Sequence, residues 1–175
     1  MNTAFDMTRE AGFDALTARR LAERLNSSTQ PIFRAYENMD TLREDLFYKC
    51  VDFFGERIGA SVTAFEPAYY SISLKYVELA QSEYYLFDLI ASVDRFENSE
   101  WGAYLQKGDT DKITESFPDS DKLNQDQKNE LLNLLWIFTH GLAVLVAGKR
   151  LIVDEDGAGL MIKRAYDGFL GAVRG

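Results

Sequence analysis

The sequence has little of what most enzyme and metal chemistry needs. It holds 1 cysteine, Cys50, so no disulfide can close within the chain. It holds 1 histidine, His140, so there is no second histidine for a histidine-rich metal site, and no Cys/His pair stands at ligand spacing. No G-x-G-x-x-G run or phosphate loop occurs. No catalytic residue, metal or cofactor is expected. No charge-flanked apolar run near the start reads as a signal peptide. No apolar stretch is expected to reach the length of a membrane span: the richest, Leu131 to Ala147, is interrupted by Asn133 and His140. These features fit a cytoplasmic protein with no membrane partner. Strand alternation, internal repeats and low-complexity tracts are also missing. What remains is helical periodicity, aromatic content of 13% and enough chain, 175 residues, to bury a sizeable core.

Charge of positive sign is scarce as well. The formal net charge is −9. Residues 1–50 carry 7 Lys/Arg against 8 Asp/Glu, a balance of −1; the remainder carries 12 against 20, a balance of −8. The acidity therefore lies mainly beyond residue 50. The usual basic footprint of a nucleic-acid binder is absent, so any such contact depends on where a few cations sit.

The most specific segment runs from Gly12 to Leu46. Gly12 ends a first helix that starts near Met1. Thr17 is placed to N-cap a second helix from Ala18 to about Leu25, with Leu21, Ala22 and Leu25 on its inner face. Asn26 suits the positive backbone angle of a tight turn. Ser28 is expected to cap a third helix, with Pro31 in its first turn, where the missing amide costs no bond. Ile32, Phe33 and Tyr36 supply its buried side. Thr29, Gln30 and Arg34 then point outward, in the place from which side chains reach base edges when such a helix lies in a major groove. Asn38 caps a fourth helix that Leu42 and Leu46 pack back onto the first three. Taken blandly, the segment is a small helical subdomain with polar surface residues.

These residues resemble the tetracycline-repressor (TetR) family of bacterial transcriptional regulators. The family pattern places a glycine after helix one, then T-x-R-x-[LI]-A-x-x-[LA], a short turn, a serine and a recognition helix ending in two aromatics. Here those positions are Gly12, Thr17, Arg19, Leu21, Ala22, Leu25, Ser28, Ile32, Phe33 and Tyr36. A second stretch, WIFTHGLAVLVAGKRL from Trp136 to Leu151, resembles the Trp-His-Gly helix of one C-terminal domain in that family. LKYVELAQSEYYLFDLIAS upstream is similar to the same domain. The chain departs from the pattern at Phe33, where the family usually has a phosphate-contacting tyrosine, and at Met39, where it usually has a lysine. Each change removes a sequence-independent contact.

Leu42 to about Phe65 reads as one long helix, broken at Glu66-Pro67. Helices follow over Tyr69–Gln81, Tyr84–Val93, Phe96–Gln106 and Asp111–Phe117, with a turn at Lys107-Gly108-Asp109. Pro118 to Asp126 is polar and loop-like. Two long helices close the chain, Asp126–Leu151 and Gly159–Val173, and Asp154-Glu155-Asp156 reads as a charged linker capping the last. Small residues recur on both: Gly141, Ala143, Ala147, Gly148, Ala165, Gly168 and Ala172. They either relax packing within one chain or admit a second copy, with Leu142, Val144, Leu145, Leu160, Ile162 and Phe169 supplying apolar area. The resemblance implies the second.

The expected architecture is all-α: a helix-turn-helix domain at 1–48, joined by a long helix to a ligand-binding and dimerisation domain at 49–175. The resemblance implies a ligand-responsive repressor that binds a palindromic double-stranded DNA operator as a homodimer through its last two helices. Its DNA contacts would be Thr17, Arg19, Ser28, Thr29, Gln30, Pro31, Arg34, Tyr36, Arg43 and Lys49. A small-molecule effector would meet Tyr76, Tyr84, Phe87, Ile90, Trp101, Tyr104, Trp136 and His140, although aromatics at helical spacing also serve as plain core and His140 also suits a packing role. The alternative is a helical interaction protein that keeps the fold with weak or lost operator binding.

Overall fold

The structure is a computed structural model that describes residues 1–63, 65–91 and 110–175. Among the described residues the regular elements are helices and none is a strand. They form two compact units. One holds residues 1–55 and 83–91; the other holds residues 56–82 and 110–175.

In the first unit, α1 (Asn2–Ala11) buries Ala4, Phe5, Met7 and Thr8, one face at helical spacing. Phe5 meets Phe53 with ring centroids 5.2 Å apart. The helix stops at Gly12, whose φ of +84° suits a residue without a side chain. Its ψ of 163° is extended rather than left-handed helical, and its amide bonds Thr8 O at 2.8 Å. A Cβ on Gly12 would lie 3.1 Å from the Tyr85 ring, so the turn also lets α6 (Tyr84–Ala91) approach. Beside it, the Arg9 guanidinium grips the buried Glu83 carboxylate with two bonds, Nε to Oε2 at 2.7 Å and Nη2 to Oε1.

After a 3-10 turn at Phe13–Ala15 comes α2 (Ala18–Arg24), N-capped by Thr17, whose Oγ1 accepts the Arg20 amide at 3.3 Å. Leu21 and Ala22 are buried as expected, but Leu25 is 47% exposed. The helix ends at Arg24, which leaves Leu25 at the cap and turned from the core. Asn26 takes φ +51°. Next is α3 (Gln30–Ala35). Its cap position is Thr29, not Ser28, and no side chain bonds an orphan amide there. The Ser27 hydroxyl instead donates to Ser28 O, which keeps that residue in the turn. Pro31 does sit in the first turn. Ile32 is buried, whereas Phe33 is 48% exposed, so the inner face of α3 is narrower than expected.

α4 (Met39–Ser61) is capped by Asn38, whose Oδ1 accepts the amides of Asp40 and Thr41, both at 2.9 Å. Leu42, Leu46 and Phe54 are buried. The helix ends at Ser61, short of the expected Phe65. Gly59 and β-branched Val62 and Thr63 favour helix weakly. The last turn tightens to a Val62–Gly59 bond, and Ser61 Oγ donates to Ile58 O at 2.7 Å. Phe65 is left 94% exposed.

The second unit packs α5 (Ala68–Ser82), α7 (Thr110–Glu115), α8 (Gln125–Ala147) and α9 (Glu155–Arg174). Tyr69 stacks on Tyr166 at 4.2 Å and meets the edge of Phe117 at 5.9 Å. The Tyr166 hydroxyl donates to Pro118 O at 2.9 Å. A 3-10 turn at Ser120–Lys122 lies within the stretch expected as loop. Asn124 and Gln127 form a capping box at the start of α8. Asp154 caps α9 by accepting the Gly157 amide at 2.8 Å. The last helix therefore starts four residues earlier than expected, with Glu155 and Asp156 in its first turn, where negative charge suits the helix dipole. α8 ends at Ala147 rather than Leu151, since Lys149 turns to φ +54° and the Arg150 and Leu151 amides fold back on Leu145 O. Gly159 lets α5 and α9 pack with the Tyr70 hydroxyl against the α9 backbone; a Cβ there would push that hydroxyl aside.

One expectation about α8 is corrected. With 23 residues and a mean hydropathy of 1.7 over its most apolar window, it is long and apolar enough to cross a membrane by length and composition. Asn133 and His140 do not lower the average enough to prevent that. One face of the helix packs into the unit, with Leu131, Leu135, Thr139, Leu142, Ala143 and Val146 buried. Ile137 at 67%, Val144 and Leu145 are exposed on the other side.

Candidate functional site

The first unit brings the proposed DNA-contacting residues together around α2, α3 and the start of α4. Thr17, Arg19, Ser28, Thr29, Gln30, Pro31 and Arg34 are all exposed; Tyr36, Arg43 and Lys49 are half-buried. Ile32 anchors α3 from below. Thr29, Gln30 and Arg34 then stand on its outer side, on a scaffold whose neighbouring helices are capped by Thr17 and Asn38.

The cations differ in how far they are committed. Arg19 pairs with Glu23 at 2.9 Å on the surface of α2. Arg20 donates to Ala15 O at 3.0 Å, and Arg24 pairs with Glu10 at 2.7 Å. Arg43 is held three ways: Asp40 at 3.2 Å, Leu16 O at 3.3 Å, and the Phe13 ring 5.4 Å from its guanidinium carbon. That makes it a brace between the turn after α1 and the start of α4. Lys49 donates to Asn2 Oδ1 at 3.0 Å and lies over the Phe5 ring. Among the described residues Arg34 has no ion-pair partner. It is the cation of this face most available to a duplex.

The second unit holds a cavity of about 110 Å³. It is lined by Ile58 at the end of α4, by Tyr69, Ile72, Ser73 and Tyr76 of α5, by Thr110 and Ile113 of α7, and by Leu132, Asn133, Leu135, Trp136 and Thr139 of α8. Of the ligand residues expected from sequence, Tyr76 and Trp136 line it. His140 stands behind them, its Nδ1 3.0 Å from the Tyr76 hydroxyl and its ring 5.5 Å from that of Trp136. Burial holds the His140 imidazole below its ordinary pKa, so the neutral ring is favoured. Tyr84, Phe87 and Ile90 belong to the first unit. Tyr84 is 44% exposed there, and Phe87 and Ile90 are core. Trp101 and Tyr104 lie outside the described residues.

Sequence reasoning missed most of the wall. Ser73 and Thr139, whose hydroxyls bond each other at 3.2 Å while buried, carried no motif. A signal was present in the period: Tyr69, Ile72, Ser73 and Tyr76 fall at i, i+3, i+4 and i+7, one stripe of α5. Burial also pushes the Tyr69 phenol up to about 12, with the carboxylates of Asp167 and Glu66 adding to the shift.

No protein-family model and no curated relative matches the chain. Solved structures share its fold, these two among them. One is a TetR-family protein from Vibrio parahaemolyticus described as a transcriptional regulator, with TM-score 0.63 and 19% identity over 95% of this chain and 94% of that one. The other is a protein from Mesorhizobium loti, described as a TetR-family transcriptional regulator, with TM-score 0.58 and 14% identity over 98% and 93%. The chain thus has the all-helical fold of TetR-family regulators along nearly its whole length.

Proposed function

We propose that the chain is a DNA-binding transcriptional regulator, a repressor that reads a palindromic operator as a homodimer and responds to a small molecule. The observation that carries this reading is α3: a short helix pinned by Ile32, with Thr29, Gln30 and Arg34 exposed on its outer side. Gln can bond adenine twice, Arg can do the same to guanine, and Thr can touch a thymine methyl.

Reading two half-sites needs two copies about one duplex turn apart. The last two helices support pairing. A Cβ added at Gly141, Gly168 or Gly171 would meet nothing within 4 Å, so these glycines do not serve packing inside one chain. Around them Ile137, Val144, Leu145, Leu160 and Met161 are exposed. Leu142 and Ile162 are spent on the core of the protomer, so the second copy would rest on the exposed set. An effector in the cavity would act through its different affinity for the DNA-competent and incompetent conformers. Nearly complete release needs a difference of about 5.5 kcal/mol.

The test is binding of the purified protein to its own upstream DNA at about 50 and 200 mM salt, against a scrambled duplex. Sequence-selective binding at the lower salt, falling with a slope of about −0.9 per phosphate contacted, is expected. No preference at low salt sinks the reading. It would favour a helical interaction protein that has kept the fold, a second reading supported by the cations of this face, of which Arg19, Arg20, Arg24, Arg43 and Lys49 already have protein partners.

A further inference from the structure

The chemistry of the cavity wall selects a class of ligand. We infer that the second unit binds a small, uncharged, single-ring aromatic molecule bearing one hydroxyl-type hydrogen-bonding group, with the ring beside Trp136 and Tyr76 and the polar group at the Ser73–Thr139 hydroxyl pair. The inference deepens the effector role proposed above and rests on that reading for its regulatory meaning, but not for the binding itself.

Four observations carry it. First, none of the described side chains lining the cavity is charged. A carboxylate or ammonium entering it would lose its water and meet no counter-charge, which is costly. Second, the polar groups of these side chains are neutral: Ser73, Thr139, Thr110, Asn133, the Trp136 indole N–H and the hydroxyls of Tyr69 and Tyr76, the last already engaged with His140 Nδ1. Ser73 and Thr139 bond each other while both residues are buried, and two hydroxyls in one bond keep one donor and spare lone pairs between them. A ligand hydroxyl can both donate and accept there. Third, the remaining wall is Ile58, Ile72, Ile113, Leu132 and Leu135 with the rings of Tyr69, Tyr76 and Trp136. Tilted ring pairs at such a wall favour a flat aromatic guest. Tyr76 and Trp136 already adopt that relation, 5.3 Å apart at 56°. Fourth, the volume of about 110 Å³ is of the order of an apolar cavity that admits benzene, about 150 Å³. It is well below the roughly 300–1,000 Å³ of pockets that take drug-sized molecules.

The test uses phenol, benzoate, benzylamine and 1-naphthol on the full chain at pH 7.5, followed by calorimetry and by tryptophan fluorescence, with Trp136→Phe to assign the signal. Phenol is expected to bind saturably, at least tenfold tighter than benzoate, benzylamine or 1-naphthol, and to perturb fluorescence that Trp136→Phe removes. Thr139→Val keeps the shape and drops one hydroxyl; it should weaken phenol by about tenfold and leave toluene unchanged. Wild-type protein that takes benzoate, benzylamine or 1-naphthol as tightly as phenol, or that takes none of the four at millimolar concentration, overturns the inference whether or not the variants fold. Operator binding is read separately. Phenol binding without operator binding would remove the regulator reading and leave the site; operator binding without phenol binding would do the reverse.

Discussion

Single side chains in this protein act mostly by closing bonds that the backbone leaves open. Thr17 satisfies one orphan amide of α2, and Thr17→Ala is expected to cost about 1 kcal/mol in denaturant unfolding. Asn38 does the same twice for α4. His140 works through burial. Its pKa in the fold lies below that of an ordinary histidine, so the unfolded chain binds the extra proton first as pH falls. Its contribution is fully present above about pH 6.5 and is lost as pH drops toward the folded value. Unfolding midpoints at pH 7.5 and 5.5 should therefore differ more for the wild type than for His140→Gln. An equal difference in both would show that the imidazole is not the group that titrates. The Thr17 and Asn38 caps were legible in the sequence because they obey local rules, whereas the Ser28 cap expected for α3 did not form. The Tyr76–His140 bond was not, because its partners are 64 residues apart.

At the scale of elements, ends and faces decide the outcome. Gly12 combines a positive φ with a ring against its back, so Gly12→Ala should destabilise by more than the roughly 1 kcal/mol of a backbone penalty alone, measured by thermal or denaturant unfolding. α3 is the element on which function is staked. Gln30→Ala is expected to cost about 1–3 kcal/mol at one operator position in a binding assay over single-base variants; an even loss across all variants would make Gln30 a backbone contact. Helix existence was readable from period and caps. Helix ends were less so: α4 stopped before Phe65 and α8 before Leu151, where weak helix formers and a left-handed Lys149 outweighed apolar pattern. Periodicity also misplaced Leu25 and Phe33, both of which stand exposed.

At the scale of the whole molecule, α8 and α9 carry an apolar outer face. Ile137, Val144, Leu145, Leu160 and Met161 stand exposed beside glycines with open space around them. The homodimer proposed above would bury this face. Leu145→Lys with Leu160→Lys should convert a dimer to monomers in light scattering at micromolar concentration, with helicity retained by circular dichroism and operator affinity lost. Dimers that persist would place the interface elsewhere. The acidity of the second unit does not oppose this reading, because the charged residues of α9 such as Lys163, Arg164 and Asp167 are exposed and free to stay solvated.

By itself the sequence determined the helical class, the order of the first four helices, the Thr17 and Asn38 caps of α2 and α4, and the outward set Thr29, Gln30 and Arg34, because each follows from interactions within a few residues. Only the tertiary structure decided which apolar side chains enclose space. Tyr76 and Trp136 line the cavity while Phe87 and Ile90 are packed away as core. A helical stripe looks the same whether its far side meets another helix or a void. The same holds for the cations: Arg43 reads as a free contact until the fold sets Leu16 O, Asp40 and the Phe13 ring around it.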